Sequence, residues 1–196
     1  MSDETAYPRW LQALLGPPGT LLAFLWGFAE GTLFFVVPDV CFTLTTGLRP
    51  RRGFLQLVAV IAGAFLAGNV MYSWAAAKPR QAQSVVAAVP FVGERMLEET
   101  YTRSETQGAW AMLQQPLGGV PFKVYAVLAP SHVPYAEFLL FSILARAERL
   151  LLTWVPAALI ALFLRRLGAA RRWHVALALH AVCWMAVYAY YWGSRL

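Results

Sequence analysis

The sequence predicts an all-α integral membrane protein: an inverted repeat of a re-entrant hairpin plus a transmembrane helix, with an extra C-terminal transmembrane helix. Three observations predict it. Of 196 residues, 59% are hydrophobic and only 13% charged, against about a quarter charged in an ordinary soluble domain, and the mean hydropathy is +0.53. The basic residues sit in short clusters between apolar runs. Two of those runs, in corresponding places in the two halves, are broken by proline, glycine and charge.

Composition and length exclude a disordered chain, a coiled coil and a disulfide scaffold. A spanning helix takes about 20 residues, so the chain has room for about four to six membrane segments and no sizeable water-soluble domain. The net charge of +6 would suggest nucleic acid in a soluble protein. Here the clusters are topology signals facing anionic lipid, and nucleic acid is not expected as a partner. Cys41 and Cys183, both inside apolar stretches, read as small core residues. Asp3 and Glu4 stand where a cleavable signal carries positive charge, so no signal peptide is expected.

Three parts are expected: an N-terminal interfacial segment (1–19), a membrane domain (20–165) and a basic loop with a C-terminal transmembrane helix (166–196). Residues 7–15 form a short amphipathic stretch with Arg9 and Trp10 at headgroup level, ended by Gly16-Pro17-Pro18-Gly19. Residues 20–48 are the first broken stretch. Glu30 and Pro38-Asp39 would be expensive on a straight lipid-facing helix, and a re-entrant hairpin is cheaper. Arg49, Arg51 and Arg52 follow. Residues 54–77 at about 1.5 Å each reach about 36 Å, enough to cross. Ala59, Gly63 and Ala67 form a face that another helix can approach closely.

Residues 81–107 are the polar region, with a solvated surface helix expected after Pro90, bearing Glu94, Arg95, Glu98, Glu99, Arg103 and Glu105. The second broken stretch, 108–130, contains Gln114-Gln115-Pro116-Leu117-Gly118-Gly119-Val120-Pro121-Phe122-Lys123, which cannot be one ordinary spanning helix. After Pro134 a long helix is predicted over Tyr135–Leu164, carrying Arg146, Glu148 and Arg149. The strongest basic cluster is Arg165, Arg166, Arg171 and Arg172. A last helix over 174–192 ends in an aromatic belt of Tyr188, Tyr190, Tyr191 and Trp192.

Paired interrupted segments point to an inverted-repeat transporter with its site at mid-membrane. With both Arg clusters cytoplasmic, the first hairpin enters from the cytoplasm and the second from outside.

Several local patterns, taken together in order and spacing, resemble those of a known family. Glu30 followed by Val37-Pro38-Asp39 is similar to an acid, a proline and a second acid in a first re-entrant loop. Gly68-Asn69 with Tyr72 resembles a Gly-Asp…Tyr helix end, with Asn for Asp and the aromatic one position early. Gly118-Gly119-Val120-Pro121-Phe122-Lys123 after Pro116 resembles a Pro-Gly-x-Arg region, with Lys for Arg. Arg146-Ala147-Glu148-Arg149 resembles a Gly-Arg-x-x-Arg run. Over residues 20–165 the chain thus resembles a divergent member of the DedA / VTT-domain (SNARE-associated Golgi protein) superfamily. That family's Arg-Phe ahead of the second loop is missing; Gln114-Gln115 stands there.

The resemblance implies a flippase or scramblase of phospholipids or polyprenyl-phosphate carriers in a bacterial cytoplasmic (inner) membrane, with proton coupling proposed for bacterial members. The expected partners are anionic or phosphate-bearing membrane lipids, with homo-oligomerisation left open. From the residues themselves, Glu30 and Asp39 are the candidates to take and release protons, and Lys123, Arg146 and Arg149 to hold a phosphate headgroup. Arg146 and Arg149, three apart, share a helix face. Against this stands a purely structural role, with Glu30 bridged to Lys123 or Asp39 to Arg146. His132, His174 and His180 read as interfacial or packing residues. No metal, cofactor or catalytic motif is recognisable, so an enzyme is disfavoured. A membrane enzyme and a noncatalytic assembly or maintenance protein are the competing functions.

Overall fold

The computed structural model describes residues 7–167 and 169–193. Asp3 and Glu4, and the side chains of Arg171, Tyr191 and Trp192, lie outside the described residues. The chain runs through α1 (Arg9–Leu15), α2 (Pro17–Thr32), α3 (Asp39–Leu48), α4 (Pro50–Ala77), α5 (Pro79–Ala87), α6 (Glu94–Gln107), a 3-10 segment (Gly108–Gln114), α7 (Gln115–Gly118), α8 (Phe122–Leu128), a 3-10 turn (Ala129–Ser131), α9 (Tyr135–Leu164) and α10 (Ala169–Gly193). No strand occurs among the described residues. Among the described residues, three helices are long and apolar enough to cross a membrane: α4, α9 and the stretch Arg172–Tyr190 of α10. A fourth span results if α1 and α2, bent by 65°, count as one. The protein is an all-helical integral membrane protein on this ground.

Proline sets several helix starts. α2, α4 and α5 each carry it in the first turn, where its missing N–H has no intrahelical partner to lose. α2 and α4 therefore begin at Pro17 and Pro50, a few residues ahead of the expected 20 and 54. α9 occupies its expected range and runs through Pro156.

α4 is the central post: 44% of its most apolar window is buried, against 17% for α9 and 6% for the last helix. In hydrocarbon there is no hydrophobic drive to bring helices together, so contact rests on close packing and polar pairs. The α2–α4 crossing shows the first. A Cβ on Gly27 would lie 2.3 Å from the Val60 carbonyl oxygen, one on Gly63 2.0 Å from that of Phe24, and one on Gly31 2.6 Å from the Ala67 Cβ. Glycine here permits backbone-to-backbone contact along the whole crossing. Gly63 and Ala67 of the predicted small-residue face are buried there, while Ala59 is turned partly out.

The contacts also give direction. α2 runs parallel to α4, from Gly19 beside Gln56 to Gly31 beside Ala67. After residues 33–38 the chain doubles back as α3, whose Leu48 packs with Leu164 at the far end of α9. Arg49, Arg51 and Arg52 thus leave the fold at the same end as Arg165 and Arg166. α4 and α9 are antiparallel: Phe54 meets Trp154 at a ring separation of 5.5 Å, and Tyr135 donates a 2.5 Å hydrogen bond to Asn69 Oδ1. α3 packs on α9, and α8, buried over its whole length, packs on α4.

Tyr7, Leu11 and Leu15 are buried against Leu44, Leu48 and Leu164, so α1 packs on the helices beside it, while its exposed face keeps Arg9 and Trp10 outward. One expectation changes. Cys41 is buried but Cys183 is exposed, because an apolar residue on a membrane helix is as well placed against lipid as in a core. The expected solvated helix exists as α6, with Leu97, Thr100 and Ser104 inward and the acids outward.

Candidate functional site

The site forms where the two broken stretches meet. The close α2–α4 crossing carries Glu30 into the interior on the last turn of α2. From α8 comes Lys123, whose Nζ donates to the Phe34 carbonyl at 3.0 Å and stands 3.9 Å from Glu30 Oε1. From α9 comes Arg146, whose Nη2 donates to Glu30 Oε2. The guanidinium carbon of Arg146 lies 4.5 Å from the centre of the Phe122 ring, a cation–π contact. Phe122 reaches that place because Gly68 of α4 has no side chain: a Cβ there would lie 2.8 Å from the ring.

The second acid opens α3. Asp39 stands in the first turn, where the helix dipole favours a carboxylate. Its Oδ1 accepts from Thr153 at 2.5 Å, and its Oδ2 is 3.0 Å from Arg149 Nη1. Arg146, Arg149 and Thr153 are spaced three and four apart, so one face of α9 serves both acids. Glu148 is exposed on another face.

Glu30, Asp39, Lys123 and Arg149 line one cavity of about 400 Å³. Val37 beside the first break and Gly119, Val120 and Pro121 of the second form its tips, and Trp184 and Tyr188 of α10 close one side. Gly119 makes the second tip possible, with φ +62° in the left-handed region that costs a side chain energy and glycine nothing. An aromatic chain, Trp26–Phe34–Phe35–Phe91, ties the first tip to the turn before α6. The Trp26 indole N–H also donates to Val36 O at 3.0 Å.

All five predicted site residues are brought together: the expected Glu30–Lys123 contact is present at 3.9 Å, and Glu30 also takes Arg146. Glu30 and Asp39 share one cavity. Arg146 is not on the cavity wall; it is 1% exposed and closed by Glu30, so it positions that acid. Asp39 meets Arg149 in place of Arg146. Among the described residues, Nε and Nη1 of Arg146 have no hydrogen-bond partner, an expensive arrangement for a buried cation. Thr153, Trp184 and Tyr188 were missed. Only Thr153 left a signal, four residues after Arg149.

The histidines lie elsewhere. His132 meets the Tyr101 ring edge-on at 4.4 Å, His174 stacks on Trp173, and His180 Nδ1 is 3.2 Å from Thr43 Oγ1. Among the described residues no three His, Cys, Asp or Glu side chains gather to hold a metal ion. No family model, curated protein or solved structure matches the chain.

Proposed function

We propose that this protein moves a phosphate-bearing lipid between membrane leaflets, as a flippase- or scramblase-like transporter. The observation that carries the reading is a charge imbalance in the membrane body. Lys123, Arg146 and Arg149 face only Glu30 and Asp39 within the cluster, at the wall of a cavity large enough for a headgroup. A buried excess cation is costly unless an anion meets it. Arg149 offers a planar fork suited to phosphate, and Lys123 a point charge beside it.

The chain path supports an inverted repeat. Residues 17–48 enter and leave at the basic end; residues 108–128 descend past Phe141, which Trp110 touches at 5.1 Å, to the cavity, and return toward the opposite end. Each half's returning helix packs on the other half's long helix, α3 on α9 and α8 on α4. This organisation, with the motif order, supports distant membership of the DedA / VTT-domain superfamily. With the two Arg-bearing loops at one end, that end is read as cytoplasmic; a bacterial inner membrane is what the family resemblance implies. Glu30 and Asp39, on the cavity wall, are the candidate proton carriers. The chemistry is transport; no reaction is assigned.

A second reading, a noncatalytic assembly or maintenance protein, is favoured by the two ion pairs that bolt α2 and α3 to α9. Reconstitution into liposomes holding a fluorescent phospholipid separates the two. Transport predicts faster leaflet exchange than in empty vesicles, lost in Lys123→Gln and Arg149→Gln variants that keep their helical spectrum. Folded protein with no exchange of any phosphate-bearing lipid refutes it.

A further inference from the structure

We infer that the groove between α3, α9 and α10 seats one hydrocarbon chain of the same amphiphile whose phosphate occupies the charged cavity; this rests on the function proposed above. The groove is a second cavity of about 210 Å³, with walls that include Leu44, Ala157, Ile160 and Leu179. Leu152, Thr153 and Trp184 line both cavities, so the two spaces meet at the level of Asp39 and Arg149. Thr153 marks the junction chemically, its hydroxyl committed to Asp39 on the charged side.

The groove's own polar groups are engaged with one another. Thr43 Oγ1 donates to the Asp39 carbonyl at 2.8 Å, accepts from Trp184 Nε1 at 3.0 Å, and lies 3.2 Å from His180 Nδ1. What remains is apolar wall, which suits hydrocarbon and not water. A cavity of roughly 150 Å³ lined by aliphatic residues already accepts benzene, whereas a helix about 10 Å across does not fit. Ile160 and Leu179 are 47% and 48% exposed, so the groove opens toward the bilayer, from which a chain would enter. Gly47 is part of its wall, and a Cβ built there meets nothing within 4 Å. The arrangement is a polar chamber with an apolar side channel, matched to a molecule with a charged head and a tail.

The test uses the full chain in dodecyl maltoside with two photolabels that carry a diazirine at the end of the same dodecyl chain, one headed by phosphate and one by glucose. Adducts are mapped by mass spectrometry. The phosphate probe should label Leu179 and Cys183 about tenfold more than the glucoside, a difference set by charge-assisted binding of the head. Both probes should label Leu66 and Val70, on the exposed face of α4, equally. Gly47→Leu should remove the excess at the groove while Lys123- and Arg149-dependent binding of ethyl phosphate persists. If ethyl phosphate binds in that way but the groove shows no excess, or the excess survives Gly47→Leu, the tail seat is wrong and the headgroup reading stands. If the excess survives Lys123→Gln with Arg149→Gln, or neither phosphate compound binds, the headgroup reading falls and the inference with it.

Discussion

Replacing Glu30 by glutamine removes the carboxylate that Arg146 meets, at a place with side-chain exposures of 1% for the arginine and 6% for the acid. Nothing nearby takes over: Asp39 is engaged by Arg149 and Thr153, and two Arg146 donors already lack partners among the described residues. Breaking a buried pair from one side costs about 3–5 kcal/mol, because a charge is left behind. At about 2–4 °C per kcal/mol for a chain of this size, the melting temperature should fall by about 6–20 °C. Asp39→Asn should cost less, about 1–2 kcal/mol, since Arg149 is 22% exposed on the cavity wall and can reach water. Glu30→Gln combined with Arg146→Met removes both charges of this pair and should recover part of the loss, with Lys123 still deprived of the anion 3.9 Å away. Thermal melts followed by circular dichroism in one detergent would measure the full cycle. If Glu30→Gln costs no more than Asp39→Asn, or the double variant is no better than the sum of its singles, the pair does not hold α2 to α9 as described.

Gly63→Leu should destabilise by about 1–3 kcal/mol or prevent folding, because the added Cβ falls 2.0 Å from the Phe24 carbonyl oxygen; Gly47→Ala, with nothing within 4 Å of the new Cβ, is the control and should melt unchanged. Gly119→Val should cost about 1–2 kcal/mol by forcing a β-branched residue to φ +62°, read in the same melts. In vesicles, single cysteines at Arg51 and at Glu105, in a background without Cys41 and Cys183, should react with an impermeant maleimide from opposite sides. Labelling from one side would overturn the assignment of the polar helix and the first basic cluster to opposite ends of α4.

Much of the framework was legible because punctuation in a membrane chain is chemically loud. Pro134 and Arg165 bracket α9, and Pro38 and Gly119 betray the two tips. Arg146 and Arg149 could be assigned to one helix face from spacing alone. Their partners could not: spacing within a helix gives a face, while the choice between Glu30 and Asp39 depends on how α2, α3 and α9 are stacked. Trp184 and Tyr188 were invisible for another reason. On a helix apolar all round, a residue facing a cavity and one facing lipid look alike in sequence, and the same ambiguity put Cys183 in the core. The burial of α1 was hidden because Leu11 and Leu15 suit a membrane surface as well as a packed cluster.

The Glu30–Arg146 pair spans 116 positions of chain and the Asp39–Thr153 bond 114, which sets a timetable for biosynthesis. At about 20 residues per second, roughly six seconds separate the synthesis of each acid from that of its partner. During that interval an ionised carboxylate at membrane depth would lack its partner on α9, so the first tip is less costly near water, or with its acids protonated, until α9 is made. A chain stalled before Arg146 holds residues 1–145 of 196 and lacks both arginines, so the closing of the two halves on each other comes late in synthesis.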